Sequence, residues 1–126
     1  MIPTFYIYVD GCDLCEIALN LRARIESFVA SYDGRVRVVD QREQAKDSSP
    51  DLPAWDLGVN FEFESLVEAE KKELLLFFWS LSAEFGRDFV VGRTSVYGFP
   101  EDFVFIMAAE PIKPALDFLT ANKRKA

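Results

Sequence analysis

The chain has 126 residues, half of them hydrophobic and 14% aromatic, among them 12 phenylalanines; this is enough apolar side chain for one domain with a real core, and it excludes a globally disordered polypeptide. The net charge of −7 disfavours sequence-independent binding to DNA or RNA and attraction to anionic membranes, both of which rely on Lys and Arg. The absence of histidine removes the usual general base, metal ligand and pH switch, and with two cysteines alone no common Cys/His zinc site or Cys-His pair can be assembled.

In chain order, Met1-Ile2-Pro3-Thr4 lacks the basic start of a signal peptide, and a cytoplasmic chain is expected. Phe5–Val9 is β-branched and aromatic and predicts strand one. The apolar positions Leu14, Ile17, Ala18, Leu21, Ile25, Phe28 and Val29 form a helical stripe, opened by Asp13 and Glu16 in the spacing of a capping box and stopped at Asp33-Gly34. Arg35–Asp40 alternates as strand two. Gln41–Pro53, with Ser-Ser-Pro and Leu-Pro, is the longest loop and too short to separate two domains. Leu57–Glu64 alternates again, Leu57, Val59, Phe61 and Phe63 on one side and Gly58, Asn60, Glu62 and Glu64 on the other. Ser65 and Glu68 have capping-box spacing for a helix that runs to Phe85, with Gly86 as its C-cap. Its second half, Leu74–Trp79, is apolar nearly all round, so it is expected to be buried on more than one side; it is far too short to span a bilayer. Asp88–Arg93 and Phe103–Met107 predict two strands around a hairpin loop, Thr94–Asp102, and Pro111 and Pro114 precede a last helix, Ala115 to Ala121. The order β-α-β-β-α-β-β-α gives a single α+β domain over residues 1–126. Its expected architecture is a single-layer, mostly antiparallel sheet with helices on one face, because strand three has one wet side.

The stretch YIYVDGCDLCEIALN, Tyr6 to Asn20, runs from a strand through Gly-Cys-x-x-Cys into a helical pattern. This corner resembles the active site of glutaredoxins and thioredoxins. The resemblance implies a thiol–disulfide oxidoreductase, with Cys12 as nucleophile at a helix N-terminus and Cys15 as resolving thiol one turn inside. Three features run against it. Asp10, Asp13 and Glu16 flank the pair and disfavour a thiolate. The cis-proline of that superfamily has no counterpart in Gly86-Arg87-Asp88-Phe89. The strand Leu57–Glu64 is extra to the family's order. Read as residues alone, Cys12 and Cys15 are two small hydrophobes at a packed helix start, and the balance leans away from an enzyme.

Two surfaces suit a partner. On strand three, Glu62 and Glu64 are expected to project together with Asn60; no third group supports a catalytic carboxylate pair, so the readings are a solvated face or a docking patch for Arg and Lys. In the loop TSVYGFPED, Tyr97 and Phe99 are hard to bury completely and are rimmed by Glu101 and Asp102, the composition of a binding hot spot, unless the rings fold back onto the core. The expected site is therefore Asn60, Glu62, Glu64, Tyr97, Phe99 and Asp102, with a basic protein as partner and no cofactor, metal, nucleic acid or membrane. The segment FGRDFVVGRTSVYGFPEDFVFI, in a small, acidic, histidine-free and aromatic-rich chain, is similar to bacterial toxin-immunity proteins. That resemblance implies an acidic surface that occludes a toxin's basic active site or blocks its access to a target, and it assigns no residue by itself. A self-associating domain is the remaining alternative, since unpaired strand edges and many phenylalanines suit a homodimer.

Overall fold

The computed structural model describes residues 4–10, 14–42, 55–94 and 100–121. Among these residues five strands and three α-helices follow one another: β1 (Thr4–Val9), α1 (Ala18–Val29), β2 (Val36–Arg42), β3 (Trp55–Glu62), α2 (Glu68–Phe85), β4 (Phe89–Thr94), β5 (Pro100–Ile106) and α3 (Lys113–Ala121). The sheet order is β2-β3-β1-β4-β5 and every neighbouring pair is antiparallel. The first six elements are two interleaved β-α-β units, each helix carrying the chain over one intervening strand; this is the split β-α-β layout. Core residues of α1 and α2 place both connecting helices on the same side of the sheet, and α3 joins them there through Ala115 and Leu119. The expected α+β fold, with a single antiparallel sheet and helices on one face, is the one observed.

Alternation decides which side is dry. Phe5, Ile7 and Val9 of β1, Leu57, Val59 and Phe61 of β3, and Phe89 and Val91 of β4 all enter one core with Leu21 and Ile25 of α1 and Leu74, Leu75, Phe78 and Leu81 of α2. Aromatic contacts tie the layers together: Phe5 meets Phe61 at 5.9 Å and Phe118 of α3 at 5.7 Å, and Phe78 meets Phe89 edge-on at 5.1 Å. The apolar half of α2 is packed on several sides. Phe77 stacks on Phe28 of α1 with ring centroids 4.0 Å apart. On the other flank, Trp79 donates its indole N–H to the carbonyls of Met107 and Glu110, and the Ser82 hydroxyl accepts the Ala108 N–H. Two polar side chains of α2 thus hold the β5–α3 connection.

The helix starts differ from the sequence expectation. α1 begins at Ala18, not Leu14: the Leu14 carbonyl accepts the N–H groups of Ile17 and Ala18, forming a turn ahead of the helix, while the Leu14 side chain is fully buried. Asp13, expected to cap it, lies outside the described residues. Ser65 does not cap α2 either. It sits in a 3-10 turn, Phe63–Ser65, and the reciprocal bond comes from Glu70, whose carboxylate accepts the Val67 N–H at 3.0 Å. Glu70 also takes a two-pronged grip from Arg35, both bonds 2.8 Å long. The Arg35 guanidinium and, after it, the Val67 amide hold the Glu70 carboxyl below the usual range. Gly86 closes α2 as expected, at φ 66°, donating to the Ser82 carbonyl.

Candidate functional site

The alternate residues of the same strands point away from the helices. β1 presents Thr4, Tyr6 and Tyr8 there; the register sets them across from Glu62, Asn60 and Gly58 of β3. On the other side of β1, Tyr6 lies across from Gly92 and Tyr8 from Val90, and these in turn face Asp102 and Phe105 of β5. No described helix covers this side.

The two tyrosine rings stack on each other, 4.8 Å between centroids and 20° between planes. Each hydroxyl is tied down: Tyr6 donates to the Asp102 carboxylate, and Tyr8 donates to Asn60 Oδ1 at 2.6 Å. Gly92 makes room for this. A Cβ there would overlap the Tyr6 phenol and the Glu101 carbonyl. The Tyr6 ring therefore lies down over β4, and only 3% of it is exposed although it belongs to the helix-free side. Burial first, and the Asp102 carboxylate second, push the Tyr6 phenol well above its ordinary range; burial and the charge of Asp56 raise Tyr8. Both phenols stay protonated donors at neutral pH. A register shift between Val91 and Gly92 marks a bulge against β5. It lets Asp102 and Phe105 share the helix-free side, while Phe103 turns to stack on Phe118 of α3 at 4.8 Å.

The structure brings Asn60, Glu62 and Asp102 of the expected site onto this one face, and it adds Tyr6, Tyr8, Val90 and Phe105, which sequence reasoning did not select. Their signal was present: Tyr6 and Tyr8 stand two apart in a strand whose other parity is wholly apolar. Glu64 does not share the face of Glu62. The strand ends at Glu62, and Glu64 falls in the following 3-10 turn, because Phe63 bends inward to pack on Phe5 at 5.6 Å. Tyr97 and Phe99 lie outside the described residues, as does Cys12. Cys15 is exposed in the turn before α1, ahead of the helix rather than one turn inside it.

Chemically the face offers aromatic surface, fixed hydrogen-bond donors and acceptors, carboxylates, and the Arg37 guanidinium of β2, which stands across from Asn60 and whose charge reaches Tyr8. Among the described residues no cluster of three or more His, Cys, Asp or Glu side chains could hold a metal ion, and every buried side-chain N or O atom has a hydrogen-bond partner. No helix among the described residues is long and apolar enough to cross a membrane. No family model, curated protein or solved structure matches this chain.

Proposed function

We propose that this chain is a protein-binding module that works through the helix-free face of its sheet, and that its role is toxin immunity: it neutralises a basic toxin domain by covering it. The observation that carries the reading is the Tyr8 ring, fixed by stacking on the buried Tyr6 and by its bond to Asn60, on a face that also presents Glu62, Asp102 and Phe105. Rigid aromatic surface with an acidic rim is what a desolvated hot spot requires. Aromatic rings on a sheet also suit stacked nucleobases. Here Glu62 and Asp102 would stand against the phosphates, and the chain's net charge of −7 adds to the repulsion, so a basic protein fits better than a nucleic acid.

Growth protection tests the proposal. The chain is expressed in cells that produce, one at a time, the toxic effectors encoded in its source genome. Rescue from one effector, lost in Tyr8→Ala and in Glu62→Lys while both variants remain folded, is the expected result. Rescue that persists in both variants removes the face from the account, and the absence of rescue from every effector removes the immunity role.

A further inference from the structure

The face has a measurable layout, and the layout points to the shape of what covers it. Glu62 stands level with Thr4 at one end of β1, and Asp102 stands level with Tyr6, beyond β4. Three strand spacings separate β3 from β5. Two residues of rise along β1 add the second coordinate. At about 4.8 Å per spacing and about 3.3 Å per residue, the two carboxylates lie about 16 Å apart on the diagonal. Between them lie Thr4 and Tyr6 of β1 and Gly92 of β4, with Tyr6 buried; on one flank, two residues further along β1, stand the half-buried Tyr8 and the exposed Phe105, with Val90 buried between them. Glu62 makes no hydrogen bond or ion pair among the described residues, and Asp102 receives only the neutral Tyr6 hydroxyl. Neither acid is neutralised by a cation of the described chain.

A sheet face of this kind is ordinarily closed by a helix, as this chain's own helices close the opposite face. On an α-helix, residues eleven apart return to nearly the same side and lie about 16.5 Å from one another. That matches the carboxylate separation, and a helix that reaches both acids from the side of Tyr8 would rest on Tyr8 and Phe105. Resting on the docking role proposed above, we infer that the occupant is a basic amphipathic helix of the partner protein. It crosses the strands and sets two arginine or lysine side chains, three turns apart, on Glu62 and Asp102, with an apolar stripe on Tyr8 and Phe105. A second copy of this chain is a poor occupant, since two such faces would bring acid against acid. A strand addition at the edge would leave the tyrosines unused.

The probes are synthetic helical peptides with one apolar stripe. In one, two arginines stand eleven residues apart; in its isomer of equal composition they stand four apart. A short single-stranded DNA oligonucleotide is the third probe. Binding to the full chain is followed through the backbone amide resonances of Tyr8, Gly58, Asn60, Gly92 and Phe105. The eleven-spaced peptide should shift these resonances and bind at least about fivefold more tightly than its isomer. Glu62→Lys and Asp102→Lys should each weaken it about fivefold or more, and, being far apart, should act additively. Glu62→Lys disturbs no hydrogen bond among the described residues, so it decides the matter if Asp102→Lys perturbs the fold. Equal binding of the isomer, stronger binding of the oligonucleotide, or concentration-dependent self-association through the same resonances would each overturn the inference. If the peptides show no preference while growth protection still depends on Tyr8, the helical occupant is wrong and the docking face stands. If protection also ignores Tyr8, both fall.

Discussion

The two sides of the sheet are made of the same five strands and differ only in parity. On the helix-covered side, Phe5, Ile7, Leu57, Val59, Phe61, Phe89 and Val91 are all fully buried. On the other, one residue along each strand, stand Tyr6, Tyr8, Asn60, Gly92 and Asp102, joined by two hydrogen bonds and a ring stack. The first side gains its stability from area removed from water and tolerates no lost volume. The second is held by directed bonds whose net worth is small. It can carry charge and exposed rings because the core does not depend on it. Under the proposed function, stability falls to the first face and recognition to the second.

Substitutions that break this division should differ in size and in kind. Phe61→Ala, at the centre of the dry side, should lower the unfolding free energy by about 3–5 kcal/mol in denaturant titrations. Gly92→Ala should cost about 1–3 kcal/mol, by driving a methyl group into the Tyr6 phenol and the Glu101 carbonyl. It should also release Asp102, which the Tyr6 and Tyr8 ring resonances would report. Tyr6→Phe removes one hydrogen bond and should cost about 1 kcal/mol.

The same variant sharpens a pH argument. Burial and Asp102 raise the Tyr6 phenol above its unfolded value. The unfolded chain therefore releases that proton first, and the stability it contributes is whole below the ordinary tyrosine range near pH 10 and declines as pH rises beyond it. Tyrosinate absorbance followed beside unfolding should show this alkaline loss, and Tyr6→Phe should reduce it. The smallest effect is expected away from both faces, at Glu70. Its carboxyl is lowered by Arg35, so its contribution is present above the ordinary glutamate range and is lost as pH falls through the folded value. Glu70→Gln should flatten the acid limb of urea midpoints measured against pH without altering the alkaline one.

Much of the architecture was legible in the sequence because it is periodic. The alternation of Leu57 to Phe61 announced one dry and one wet side, and the stripe from Leu21 to Val29 announced a helix on the dry one. The strand order was not legible. Nothing local tells β1 to lie between β3 and β4; that pairing follows from the crossovers of α1 and α2. The helix starts were misread for a related reason. Asp13 with Glu16, and Ser65 with Glu68, have the right spacing, yet Leu14 is drawn into the core ahead of α1, and Glu70, gripped by Arg35 from a distant turn, supplies the capping bond at α2. At the candidate site, Asn60, Glu62 and Asp102 were accessible from alternation and loop charge. Tyr6 and Tyr8 were marked by their alternation with Phe5, Ile7 and Val9, but their hydrogen-bond partners were not legible until β3 and β5 are placed beside them. Only the bulge at Gly92 brings Asp102 within reach of Tyr6.

The most direct test of the central claim compares one substitution on each side of the molecule in the growth-protection assay. Phe105 on the helix-free face and Leu76 on α2 are large apolar side chains of similar exposure, 44% and 39%. Each is replaced by lysine, and folding is confirmed by thermal unfolding. The account predicts that Phe105→Lys abolishes protection and Leu76→Lys preserves it. Protection lost with Leu76→Lys and kept with Phe105→Lys would place the partner on the helices and contradict the account.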